Sequence, residues 1–326
     1  MWSDERPRFG RLLAAGTCAM VLALGESQRA DAQSKPDTAW VLKKPGPETQ
    51  VQKPASARGN VNPCLTPDPG FGNYEPWSRG ITTGQFIAPK VFKAKAKGSF
   101  DVMFHFHGHE AARKEWVRAI DGAVLVGVDL GLGSGAYEQY FAKGSAFVEL
   151  LASVERAVAK RMGVPSAKAR HVGLSAWSAG YGAVGEILEQ PAGKKLVDSV
   201  VLLDGLHSGY STSGGTLNEL QLAPFVWFAK EATARRRFFY VSHSSIIPPG
   251  YASTTETANY LISEVGGRPS PSGPRGTDPL GLDLLSWYVR GNFHVRGYAG
   301  NAPEDHCAQL ALYRDVVRLY VARRWR

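Results

Sequence analysis

The chain has 326 residues, of which 44% are hydrophobic and 21% charged, and its formal net charge is +9. That composition excludes a disordered chain, and 36 Gly and 20 Pro without a fixed period exclude a collagen-like fibre. No apolar run reaches the roughly 18–20 residues that span a bilayer, which excludes a polytopic membrane protein.

Arg6, Arg8 and Arg11 precede an apolar stretch from Leu12 to Leu24, and Ala30-Asp31-Ala32 offers a small-x-small cleavage pattern. Residues 1–32 read as a signal peptide removed after Ala32, which implies a secreted or periplasmic protein. The alternative is a buried first helix. The four Arg, two Asp and two Glu of that segment cancel, so the mature part keeps the whole charge. A basic exported protein is attracted to anionic surfaces such as envelope polymers. No Lys/Arg run is interleaved with stacking aromatics, so a nucleic-acid partner is not expected. Arg235-Arg236-Arg237 reads as the solvated lead-in to a strand. Processing leaves Cys64 and Cys307. In an oxidising compartment these two can pair, or they stand as unrelated thiols.

Residues 33–63 carry Pro36, Pro45, Pro47, Pro54 and Pro63 among polar residues and read as a linker or arm. Residues 64–326 are the folded domain. Strands are expected at 99–106 (SFDVMFHF), 123–128 (AVLVGV), 171–174, 197–203 (VDSVVLL) and 237–241, with a strand-like run over 284–298. Helices are expected at 112–120, 146–162, 179–188, 217–234, 254–265 and 308–324. The best of them carries Phe147, Leu150, Leu151, Val154 and Val158 on one face. Residues 266–283 are Gly/Pro-rich and read as a mobile loop. Strands alternating with helices imply an α/β fold: a doubly wound, mostly parallel sheet with helices on both faces. In such sheets reacting groups sit beyond the carboxyl ends of the strands.

The segment HVGLSAWSAGYGA (171–183) runs from strand to helix through Ala176-Trp177-Ser178-Ala179-Gly180, a small-x-Ser-x-Gly nucleophile elbow. A serine on so sharp a turn projects its hydroxyl above the sheet, and small residues two positions either side let the backbone pass itself. The bland alternative is that Ser178 only caps a helix. Ser175 is a rival nucleophile, but Trp177 stands where a small residue is needed after the turn.

On these residues and the element order, roughly residues 80–326 resemble the α/β-hydrolase superfamily, in particular its secreted esterase-like members. The resemblance implies acyl transfer through a Ser–acid–His triad in that chain order, without a cofactor. The base is then expected before the closing helix, where Glu304-Asp305-His306-Cys307 supplies His306. His294 is weaker because it lies inside a strand-like run, and His207 and His243 do not fit the order. Asp204, at the end of VVLLDGLHS, is the expected acid, with Asp278 or Asp283 in reserve. Asp305 adjoins His306 too closely to orient it. The resemblance also implies an oxyanion hole built from the Ala179 amide and that of Gly108 or His109, two choices the sequence leaves open.

Two other classes stay in view. His105, His107 and His109 alternate, and period-two spacing would turn them to one face as a zinc cluster. The match to His-x-His-x-Asp-His fails at its two later positions, where His109 and Glu110 stand. A non-catalytic, envelope-associated binding protein on the same fold is the other. The expected substrate is a small or polymer-borne ester, and Trp177, Tyr137, Tyr140, Tyr251 and Trp287 are candidate pocket walls or core.

Overall fold

A computed structural model describes residues 66–92, 98–211, 215–272 and 282–326. The expected signal peptide, the arm at 33–63, Cys64 and Asp278 lie outside the described residues.

The apolar runs become strands buried on both sides. The strands are β1 (Gln85–Ile87), β2 (Ser99–Phe106), β3 (Ala123–Val128), β4 (Lys168–Trp177), β5 (Val197–Leu203), β6 (Phe238–His243), β7 (Ser270–Pro271), β8 (Leu284–Arg290) and β9 (Phe293–Tyr298). They form one sheet in the order β1-β3-β2-β4-β5-β6-β9-β8-β7. The stretch from β3 to β9 is parallel, while β1, β8 and β7 add antiparallel edges. The sheet is therefore mixed and mostly parallel.

The helices before the elbow are α1 (His109–Trp116), α2 (Ser134–Phe141) and α3 (Ala146–Met162). A single 3₁₀ turn (Ser178–Gly180) then leads into α4 (Tyr181–Glu189). After it come α5 (Pro191–Leu196), α6 (Glu219–Thr233) and α7 (Thr254–Glu264). The chain closes with α8 (Pro303–Ala311), α9 (Tyr313–Val316), a π-helical stretch (Val317–Val321) and α10 (Ala322–Arg324).

Two apolar cores cover the two faces of the sheet. On one face Phe104 and Phe106 of β2 pack with Phe147 of α3, Val184 of α4 and Phe225 of α6. On the other Met103 packs with Trp116 of α1, Tyr313 of α9 and Val317. Adjacent side chains of β2 thus enter different cores, as the pleat requires. No helix among the described residues is long and apolar enough to cross a membrane.

Several expected bounds change: α1 is His109–Trp116 against the expected 112–120, and β4 is Lys168–Trp177 against the expected 171–174. Three further changes have a local cause. The run over 284–298 is a hairpin, because Gly291 (φ 60°) lets the chain reverse between β8 and β9. The start of the Gly/Pro-rich stretch pairs as β7 against β8, and residues 273–281 lie outside the described residues. The closing helix begins five residues early, at Pro303, whose fixed φ and missing N–H suit a first helical position.

The chain builds β2 and β3 toward one edge and β4, β5 and β6 toward the other, so the strand order reverses between β2 and β4. A crevice at such a reversal is where α/β sheets place ligands.

Candidate active site

Four described residues other than glycine have positive φ: His107 (69°), Ser178 (49°), Asp204 (46°) and Arg235 (63°). The first three sit just past the carboxyl ends of β2, β4 and β5. Holding a non-glycine residue there costs about 1–3 kcal/mol, so the surroundings must fix each one.

Ser178 ends β4 and opens the 3₁₀ turn into α4. Trp177 before it is still extended (φ −113°, ψ 143°), so the turn is made at Ser178 itself. Close approach explains the glycines. A Cβ on Gly180 would overlap the Phe106 carbonyl, and one on Gly205 would overlap the Ser178 backbone. The β2, β4 and β5 ends are therefore packed backbone to backbone around the serine.

Asp204 is buried, and its amide donates to the Ser242 carbonyl (2.9 Å). Its Oδ1 accepts from the Ser244 amide (2.8 Å) and from the Thr254 hydroxyl (2.6 Å). Thr254 opens α7, whose start is fixed by a reciprocal cap: Ser253 Oγ accepts from the Glu256 amide, and Glu256 Oε2 accepts from the Ser253 amide. Asp204 Oδ2 accepts from His306 Nδ1 at 2.8 Å. Burial pushes the Asp204 carboxyl up, but the His306 contact and the two further donors outweigh it and hold the group at about 2.

His306 lies in the first turn of α8. Asp305 accepts from the Ala302 amide (3.0 Å) and so caps that helix, rather than orienting its neighbour. The imidazole stacks on Trp177 (ring centroids 4.7 Å), and the indole N–H donates to the His306 carbonyl (3.0 Å). Because a carboxylate only accepts, Nδ1 carries a proton, and in the neutral ring Nε2 is the acceptor.

The expected acid and base are thus bonded; His306 is stacked on Trp177, the residue before Ser178, and Asp204 precedes Gly205, which packs on the Ser178 backbone. No hydrogen bond joins Ser178 Oγ to His306 in this structure. Such bonds are often long without substrate.

Ser175 is fully buried in the core, not in the crevice, because its β4 position points away from the turn. The three alternating histidines do not share a face. The strand ends at Phe106 and His107 turns the chain, so period two stops there. His105 enters the core, His107 Nδ1 meets the Tyr137 hydroxyl (3.1 Å), and His109 Nδ1 meets Asp129 (2.6 Å). Among the described residues no group of three His, Cys, Asp or Glu is arranged to hold a metal ion. His294 lies in β9.

A cavity of about 380 Å³ opens beside Ser178 and Ala179, lined also by His207, Tyr251, Glu138 and Gln221. His207, set aside on chain order, donates through Nδ1 to the Ala252 carbonyl (2.9 Å) and packs edge-on to Tyr251. Burial holds its pKa below the ordinary value. Its one sequence signal is its place three residues after Asp204. Of the expected aromatic walls, Tyr251 lines the cavity. Trp177 stacks between His107 and His306, and Tyr137 supports the β2 turn. Tyr140 packs on Phe141, and Trp287 lies on β8 with the Arg296 guanidinium over its ring.

No family model and no curated protein matches the chain. Solved structures similar to it include an uncharacterised protein from Capnocytophaga ochracea, at 11% identity and a TM-score of 0.44, over 73% of this chain and 60% of that one. Another is the ferric enterobactin esterase from Salmonella typhimurium, at 10% identity and a TM-score of 0.41, over 83% and 62%. A thermophilic esterase from the Planctomycetes species Thermogutta terrifontis is similar at 14% identity and a TM-score of 0.41, over 78% and 96%. The chain spans less than two thirds of the length of the first two.

Proposed function

We propose that the chain is a serine hydrolase of the α/β-hydrolase type that cleaves an ester. The observation that carries this reading is the Asp204–His306 pair, with His306 stacked on the residue before a strained Ser178 and Gly205 packed on Ser178 itself. In this reading Ser178 Oγ attacks the acyl carbon and its proton passes to His306 Nε2. The imidazolium, held by Asp204, then protonates the leaving alkoxide. Water attacks the acyl-enzyme by the same route in reverse and frees the acid. An ester is preferred to an amide because an alkoxide leaves with less acid assistance than an amine. The chemistry requires no cofactor. Amides of Ala179 and of the 108–109 turn complete the site by stabilising the oxyanion.

Export with removal of residues 1–32 belongs to the same proposal, supported by the N-terminal pattern, as does attraction of the basic chain to an anionic envelope surface. So does a Cys64–Cys307 disulfide. Thr66, two residues from Cys64, lines a small cleft with Cys307, and its carbonyl accepts from Lys114 (3.2 Å).

Hydrolysis of a p-nitrophenyl ester tests the central reading. Ser178→Ala should lower kcat by about 10⁵-fold or more with the melting temperature preserved. A folded variant with unchanged turnover would place the nucleophile elsewhere.

A further inference from the structure

The histidine alternation is left over once the triad is assigned, and its first member is placed unusually. His105 is fully buried at the end of β2, and burial drives its pKa down to about 3, so the imidazole is neutral. Its Nε2 lies 2.9 Å from the His107 carbonyl, and its Nδ1 lies 2.9 Å from Ser175 Oγ. Ser175 Oγ lies 2.9 Å from the Tyr313 hydroxyl.

Only one arrangement of protons satisfies this chain. A carbonyl can only accept, so Nε2–H donates to His107. A neutral ring has one N–H, so Nδ1 accepts from the Ser175 hydroxyl. Ser175 oxygen then accepts from Tyr313. The chain of donors runs from α9 through β4 to β2 and ends on the one carbonyl that a left-handed His107 must place.

His107 is fixed at two further points. Its amide donates to the Val128 carbonyl (3.1 Å), and its Nδ1 meets the Tyr137 hydroxyl. The carbonyl of His107 and the amide of Gly108 belong to one planar trans peptide and point in opposite directions. Pinning the oxygen toward the core turns the Gly108 N–H outward. Among the described backbone bonds outside helices and strands none uses that N–H.

We infer that His105 is a positioning residue for the oxyanion site. The Tyr313–Ser175–His105 chain holds the His107–Gly108 peptide so that the Gly108 amide, with that of Ala179, faces the oxygen of the carbonyl attacked by Ser178. The inference rests on the serine hydrolase reading and deepens it. It selects Gly108 over His109 as the donor from this turn, and it gives the buried histidine a task in the transition state.

The test compares His105→Phe, which keeps a ring of similar size but no donor, with His105→Gln, whose side-chain N–H can reach the same carbonyl. Outright loss of an oxyanion donor costs about 10²–10³ in kcat, and a displaced donor costs less. His105→Phe should therefore lower kcat by about 10–100-fold with KM within about twofold. It should weaken inhibition by an aryl trifluoromethyl ketone, which forms a tetrahedral oxyanion on serine, by the same factor. His105→Gln should recover most of both.

A folded His105→Phe with unchanged kcat overturns the inference, as does a loss of kcat without a matching loss of ketone affinity. Should His105→Phe fail to fold, Ser175→Ala decides. It keeps the imidazole but removes the donor that fixes its tautomer, and kcat and ketone affinity should fall together; no change in either overturns the inference. Fluorophosphonate capture by the unsubstituted protein separates the two levels. If Ser178 is not captured, the hydrolase reading fails. If it is captured and the variants are indifferent, only the positioning role fails.

Discussion

Asp204 receives three donors on two oxygens, and the division between them decides what a substitution would do. Oδ1 serves the protein, through Ser244 and Thr254, and Oδ2 serves His306. Asp204→Asn can keep the first pair by placing its amide oxygen there. Its NH₂ then faces His306 Nδ1 and forces the ring into the tautomer whose Nε2 carries the proton, which cannot act as a base. The expected result is a fold that melts near the unsubstituted temperature with kcat down by about 10⁴-fold. Stopped ester hydrolysis alongside thermal melting checks it, and near-normal kcat would remove Asp204 from the reaction. Much of this site is legible at the residue scale: the elbow, the Asp-Gly step and a histidine before the closing helix are all local patterns. The His105–Ser175 and Ser175–Tyr313 contacts are not. They join positions 70 and 138 residues apart, and nothing in either local pattern encodes the partner.

At the scale of elements, β2, β3 and β5 match their expected bounds because continuous apolar runs mark strands covered on both faces. Helix α3 matches because its apolar stripe has the helical period and Gly163 (φ 64°) ends it. The missed helices, α2 and α5, span eight and six residues and carry Gly or Pro, so neither shows a full period to read. Strand β1 has three residues. The helix whose Thr254 holds the acid, α7, and the helix that carries the base, α8, are each set by their first turn, so anything that ties the start of α8 also ties His306. Cys307 directly follows His306 in that helix. A bridge to Cys64 would stabilise by limiting the unfolded chain, by up to about 4–5 kcal/mol in the loop-entropy account. The prediction is at most one thiol per unreduced, denatured full-length chain, that of Cys18, rising by two after reduction. Three titratable thiols before reduction would end the disulfide proposal.

For the whole molecule, burial decides how stability responds to acid. His105, His107, His171, His207, His243 and His294 all have their pKa lowered, in each case first by burial. The unfolded chain takes up these protons near the ordinary 6.5, while the folded chain binds them only at lower pH, about 3 for His105 and about 4 for His294. Their contribution is therefore complete above about pH 6.5 and is lost as pH falls through the interval to the folded values. For the wholly buried His105 the slope is on the order of 1.4 kcal/mol per pH unit inside that window. The melting temperature should fall steadily from pH 7 to pH 4, and His105→Gln should flatten the fall by about 2–4 °C per pH unit. A melting temperature that is level between pH 7 and pH 4 would contradict this.

The proposed chemistry requires Ser178 to be an activated nucleophile, and covalent capture reads that directly. The native protein is treated with a fluorophosphonate, digested, and the adduct mapped by mass spectrometry. One adduct per chain is predicted, on Ser178, and it should be strongly reduced in Asp204→Asn and absent from Ser178→Ala. An adduct on another residue, or none on a folded chain, contradicts the account.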